Sequence, residues 1–295
     1  MSYRLKRTDK TLQAALRRIA TQEIDTALAE IDAPALTMHD KVHQLRKRAK
    51  RLRGLIRLLR PVFPGFQAEN AAIREAAAHL SPLRDAEGMV ETCDKLIAAT
   101  GATRFAPVRA ELAARRDARA AQDDVASDLA AFRAEMIALR ARASQWRLTG
   151  DGYGALRPGL EKAATAARKG QRAAKAPAGP AAIHAWRKRV KDHWYHTRLL
   201  APIRPRPLNR RAKRLRALSE LLGDHHDLSV LDDFIASTHD LPGDATLRAD
   251  LRACIHARQR ALAKAAQALG KRLFKCPPRK MGKRWRRWWT VWRAG

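Results

Sequence analysis

The chain has 295 residues, of which 60 are Lys or Arg and 29 are Asp or Glu, a formal charge of +31 at pH 7. Its apolar fraction of 46% is enough for a packed core and excludes a disordered chain. The charge balance points to anionic partners (nucleic acid, phosphate polymers or anionic membrane surfaces) and says nothing of the fold.

Taken in order, Thr8 and Asp9 are placed to cap a helix from about Lys10 to Ile31, with Leu12, Leu16, Ile19, Ile24 and Leu28 on its apolar face. A second helix spans Thr37–Arg60. After the Pro61–Gly65 turn the pattern predicts a helix over about Gln67–Leu80. Ser81–Pro82 starts another, since Pro fits a first turn, and it runs to about Ala99, closed by Gly101. Arg104–Trp146 is helical throughout, as one long helix or two with a kink. Leu148–Gly154 is a linker that divides a first unit, 1–150, from a second, 151–295.

The second unit repeats the plan. Ala155–Lys175 places Leu156, Leu160 and Ala164 as Thr11–Ile31 places Leu12, Leu16 and Ala20. A flexible Ala176–Pro180 segment, a second basic helix and a Pro-rich turn at Ile203–Leu208 follow, then a helix over about Asn209–Leu222. Leu222–Asp227 reads as a loop carrying adjacent His225 and His226 and parallels Leu80–Asp85. Helices over Leu228–Thr238 and Leu247–Phe274 complete the unit. No useful alternating pattern marks a strand, so the expected fold is all-α: two four-helix bundles related by an approximate internal two-fold. Lys283–Arg293 reads as a basic amphipathic helix with Trp285, Trp288, Trp289 and Trp292 on one stripe. Such a helix lies on anionic membranes or docks on its own domain, and docking is favoured.

The repeat is sharpest between Val42–Pro61 and Ile183–Pro202, which align without a gap at an offset of 141 residues, as from His43 to His184. Both copies lack an internal Pro and stop at one. One helical face carries His43, Arg46, Lys47, Lys50 and Arg57, repeated as His184, Arg187, Lys188, Lys191 and Arg198. Spacings of 3, 4 and 7 keep each set on one face. Like charges so placed disfavour an isolated helix, and no carboxylate of the first motif offsets them. A single such run is usually just a solvated face. Its duplication at identical spacing, while apolar positions drift (Leu45 to Trp186, Ala49 to Val190), favours an extended polyanion as ligand. The copies diverge at the middle turn, where Asp192, His193 and Trp194 stand for Arg51, Leu52 and Arg53, so Arg53 is the contact least supported by the repeat.

Other candidates are weaker. Arg115 and Arg119, and at the matching place His256 and Arg260, form i, i+4 pairs able to extend the basic surface. Asp85 and Asp227 match between the units and are placed to orient neighbouring cations by charge-assisted hydrogen bonds or simply to favour a helix start. No Gly-rich phosphate loop, zinc spacing or carboxylate cluster for Mg²⁺ appears, so neither catalysis nor a cofactor is expected. Cys93, Cys254 and Cys276 read as reduced thiols. The N-terminus lacks the apolar core of a signal peptide and no apolar run suits a membrane span, so a cytoplasmic location is expected.

VHQLRKRAKRLR at 42–53 with IHAWRKRVKDHW at 183–194, followed by LSPLRD and LGDHHD, resembles the CHAD family, the conserved-histidine α-helical domain, over about Tyr3 to Phe274. The resemblance implies two pseudo-symmetric four-helix bundles around a basic surface. It also implies binding of inorganic polyphosphate through the histidines and cations of the two repeated helices, and association with polyphosphate granules. Nucleic acid is the alternative polyanion, though the first basic helix has no aromatic residue on which bases would stack.

Overall fold

The computed structural model describes residues 3–80, 82–122, 124–175 and 179–295, with side chains except those of 82–86 and 120–122. Every regular element among them is a helix. These are α1 (Leu12–Asp32), α2 (Met38–Leu59), α3 (Phe66–His79), α4 (Pro82–Thr100), α5 (Ala106–Gln122), α6 (Val125–Ser144), α7 (Gly152–Ala173), α8 (Pro180–Leu199), α9 (Pro205–Ser237), α10 (Ala245–Leu273) and α11 (Pro278–Ala294). Short 3₁₀ turns follow α2 and α8 at the two matched prolines.

Helix boundaries differ from expectation at α1 and α9, and the alternative left open over Arg104–Trp146 resolves to two helices, each for a local reason. Helix α1 starts at Thr11, whose Oγ1 accepts from Ala14 N at 3.1 Å. Asp9 instead accepts from Lys6 N at 2.7 Å and pairs with Arg18 at 2.6 Å. The stretch Arg104–Trp146 is two helices, the second capped by Asp124, which accepts from Ser127 N at 3.0 Å. Helix α9 continues through Leu222–Asp227 for 33 residues, so His225 and His226 are helical. Leu215, Leu218, Leu222, His225 and Leu228 carry one buried stripe through that stretch, which outweighs the roughly 1 kcal/mol cost of a helical Gly223.

The helices correspond in order: α1 with α7, α2 with α8, α3 and α4 with the single α9, α5 and α6 with the single α10. Because α9 and α10 are unbroken, each serves two cores. Helices α1, α2, α3 and α6 surround the first core, which extends to the ends of α7 and α8 and to α11. The second lies among α7, α8, the first half of α9 and the second half of α10. The third joins α4 and α5 to the remaining halves of α9 and α10. The three cysteines are free thiols.

Helices α2 and α8 meet at Gly54 and Tyr195, positions equivalent in the repeat. A Cβ at residue 54 would lie 2.8 Å from Tyr195 Cβ and 2.9 Å from Tyr3 Oη, so only glycine permits this approach. Gly54→Val should therefore destabilise the protein by about 2–3 kcal/mol through overpacking, read as a lowered urea midpoint at unchanged m-value. An unchanged midpoint would show that the crossing tolerates a wider spacing.

Candidate anion-binding surface

At about 100° per residue, Gly54 lies in the middle of the face bearing His43, Lys47, Lys50 and Arg57. Tyr195 lies likewise among His184, Lys188, Lys191 and Arg198. The basic rows therefore sit on the faces by which the two repeats meet. Paired positions run in opposite directions: Arg57 bonds Asp192, Gly54 abuts Tyr195 and Arg51 acts on Arg198. His43 and His184 thus lie at opposite outer ends of one track, each about 16 Å along its helix from the crossing.

The two flanks of the crossing differ in how their cations are compensated. On one, Arg57 Nη1 donates to Asp192 Oδ1 at 2.6 Å, and Arg189 approaches the other oxygen at 3.4 Å. Asp192 occupies the place that Arg51 holds in the first repeat. On the other flank Arg51 therefore faces Arg198, with Lys47 alongside. Burial and then Arg51 push the Arg198 guanidinium down. Burial, then Arg51 and Arg48, do the same to the Lys47 ammonium. Tyr3 is wedged beneath, with Arg198 and Arg51 at 5.6 and 5.8 Å from its ring centroid. Its ring face attracts both cations, and its buried hydroxyl has no hydrogen-bond partner among the described residues.

Other cations of the first basic helix are held from outside the motif. Glu23 and Glu30 of α1 hold Arg48 at 3.0 and 2.6 Å, and Glu23 also holds Arg51 at 3.1 Å. Arg53 donates to Asn70 Oδ1 at 3.1 Å, and burial, then Arg57, bring it down to about 10. Arg46 and Arg187 anchor at equivalent places. In the first repeat the chain breaks after α3, and Arg46 Nη1 donates to the freed Leu80 carbonyl at 3.0 Å. In the second the helix continues, and Gly223 leaves room for Arg187, whose Nε would sit 3.4 Å from a Cβ there.

Near the outer end of α8, the His184 ring packs on that of His226 in α9 with centroids 3.8 Å apart. His184 Nδ1 is buried with no hydrogen-bond partner among the described residues. Burial, then His226, then Lys188 and Arg187, bring His184 down to about 4, with Asp227 opposing. His226 is lowered by burial, Arg187, Lys188 and Lys191, again opposed by Asp227. His226 is a residue that the sequence did not single out, because a loop reading hid the face it shares with Gly223. The Asp85 side chain lies outside the described residues. His43 is exposed and Lys50 half-buried on the matching row of α2.

The peripheral candidates belong to other helices. Arg115 of α5 pairs with Glu111 and Asp240 at 2.6 and 2.7 Å. His256 of α10 meets Asp232 at 2.9 Å. Arg119 and Arg260 are exposed on the same two helices. Among the described residues no group of three His, Cys, Asp or Glu is arranged to hold a metal ion, and no helix is long and apolar enough to cross a membrane.

The CHAD domain family model matches residues 10–236. A comparison with curated proteins returns no match. Among solved structures, the chain is similar to the crystal structure of the CHAD domain from the plant Ricinus communis. The two share 19% identity with a TM-score of 0.68, over 92% of this chain and 94% of that one. This likeness shows the fold, which is all-α. With the family model covering most of the length and the duplicated His-x-x-Arg-Lys-Arg helices at its centre, the chain belongs to the CHAD domain family.

Proposed function

We propose that this protein binds inorganic polyphosphate, without turning it over, along the track that the two basic helices form around their crossing. Its units would be the two repeats, 1–150 and 151–295, each lending one helix. The observation that carries the reading is the cation-rich flank, where Lys47, Arg51 and Arg198 converge from two repeats, with Glu23 paired to Arg51 and Glu30 acting on Lys47. Like charges held together cost free energy unless an anion joins them. A polymer with a charge on every unit and no bases suits a row of Arg, Lys and His. Asp227, beside the His184/His226 pair, orients that end of the row. His43, Lys50, Lys188 and Lys191 extend it, and Arg115, Arg119, His256 and Arg260 are outlying contacts. A cytoplasmic, granule-associated location accords with such a ligand.

Nucleic acid is the second reading, and Trp194 with Tyr195 is the feature that would serve it. Trp194 already packs on Tyr195 at 4.9 Å and beneath Arg198 at 5.1 Å, and Tyr195 is buried. Neither ring is a free stacking platform.

The test is a competition titration at about 150 mM salt, where unspecific attraction is screened. Labelled long-chain polyphosphate is challenged with DNA, RNA and pyrophosphate at matched phosphate concentration. Displacement by unlabelled polyphosphate alone is expected. Equal displacement by DNA or RNA would reduce the site to net charge. Asp192→Asn supplies a second check. It should lower the melting temperature, because Arg57 loses its buried carboxylate, and tighten polyphosphate binding by about threefold or more. A loss of affinity in that variant would place the ligand elsewhere.

A further inference from the structure

Both chain ends lie outside residues 10–236, which the family model matches, and they are built on each other. Tyr3 sits in the helix crossing, and Leu5 N donates to Leu199 O at 3.1 Å. Arg293 of α11 then grips the same segment, donating to the carbonyls of Arg7, Asp9 and Lys10 at 3.3, 2.8 and 3.1 Å. The segment 3–11 is thus a strap running from the central track to α11.

Helix α11 has spent its apolar face. Met281 and Trp285 are buried, Tyr153 Oη donates to Gly282 O at 2.8 Å, and Trp288, Trp289 and Trp292 pack on the first core. The face that would enter a membrane is therefore docked on the protein. What remains outside is cationic. Lys283, Arg284, Arg286 and Arg287 are exposed and form no ion pair among the described residues. The helix Pro278–Ala294 contains no acidic residue. On the strap, Arg4, Lys6 and Arg7 are exposed, while its one acid, Asp9, is taken by Arg18 through both oxygens at 2.6 and 2.7 Å.

We infer that the strap and the outer face of α11 form a second cationic contact surface that engages the same polymer beyond the central track, so that the protein prefers long polyphosphate chains to short ones. The inference rests on the polyphosphate reading. Two contact segments joined by one rigid protein turn the second engagement into an intramolecular event, which adds affinity only for a chain long enough to reach both.

The experiment measures affinity for tripolyphosphate, for long-chain polyphosphate and for competitor DNA in the wild type and in Lys283→Gln/Arg286→Gln/Arg287→Gln. These side chains point away from the Trp packing, so the melting temperature should hold. The triple variant should bind the long chain about tenfold more weakly and tripolyphosphate within about twofold of wild type. Equal losses for both ligands would reduce α11 to a contributor of net charge. No loss for either, or a loss confined to DNA competitor, would equally remove the second contact surface. Failure of the central reading looks different: wild-type protein would then bind neither polyphosphate in preference to DNA.

Discussion

Replacing Lys47 and Lys188 together by glutamate is expected to weaken polyphosphate binding by about 3–4 kcal/mol while the helical circular dichroism persists. The two residues are equivalent and stand on either side of the crossing. Lys188 is exposed and makes no ion pair among the described residues, so its reversal removes a contact and otherwise acts on the neighbouring His184/His226 pair. Lys47 is different. It is half-buried, donates to Gln44 at 3.1 Å and lies within the field of Arg51, Arg48 and Arg198. A carboxylate there would pair with those guanidinium groups. It would remove one donor, occupy the others and relieve the repulsion that an incoming phosphate otherwise relieves. Folding should consequently survive, and the melting temperature should hold or rise. The control is Lys264→Glu/Lys271→Glu, two exposed positions on α10 that shift the net charge by the same amount. If that pair weakens binding as much as the first, the long-range field of a +31 chain accounts for affinity and the track does not.

The duplicated helices were legible because their period, their Pro stops and their identical cations all lie in consecutive residues. What opposes those cations was not. Glu23 and Glu30 come from a neighbouring helix to meet Arg48 and Arg51, and Asp192 comes from the other repeat to meet Arg57. A sequence gives the number of charges and leaves their pairing to the packing. The crossing was hidden for a related reason. Gly54 read as one more residue on a basic helix, and its meaning appears only when Tyr195 lies against it. Helical continuity through Gly223 was missed because Leu-Gly-Asp-His-His carries turn formers, whereas the buried stripe from Leu215 to Leu228 decides the outcome. The same turn formers hid the helical face that sets His226 against His184.

Acidification should strengthen polyphosphate binding, and the His184/His226 pair should be the cause. In the free protein His184 stays neutral until the pH falls to about 4, because burial, the neighbouring imidazole and then Lys188 and Arg187 oppose its charge. His226 is lowered by burial, Arg187, Lys188 and Lys191, and Asp227 alone favours charge at either ring. A phosphate chain laid on this end adds negative charge, raises both values and draws protons in. Affinity then increases as pH falls through the bound-state values and levels off below about 4, where the free His184 is charged as well. Between about pH 7.5 and 5.5 the gain should be roughly tenfold, with proton uptake visible in titration calorimetry as a dependence of heat on buffer ionisation enthalpy. Stability of the free protein moves the opposite way. His193 and His196 are buried and also lowered by burial, His196 to about 4. The unfolded chain takes up their protons first, so stability is full above about pH 6.5 and is lost as pH falls toward 4. The melting temperature of the free protein should thus drop on acidification, and bound polyphosphate should offset part of the drop. His184→Asn with His226→Asn separates the two effects, since it leaves His193 and His196 in place. It should flatten the pH dependence of binding and retain the part of the acid lability that His193 and His196 contribute. A variant that keeps the wild-type binding slope would show that protons enter elsewhere on the track.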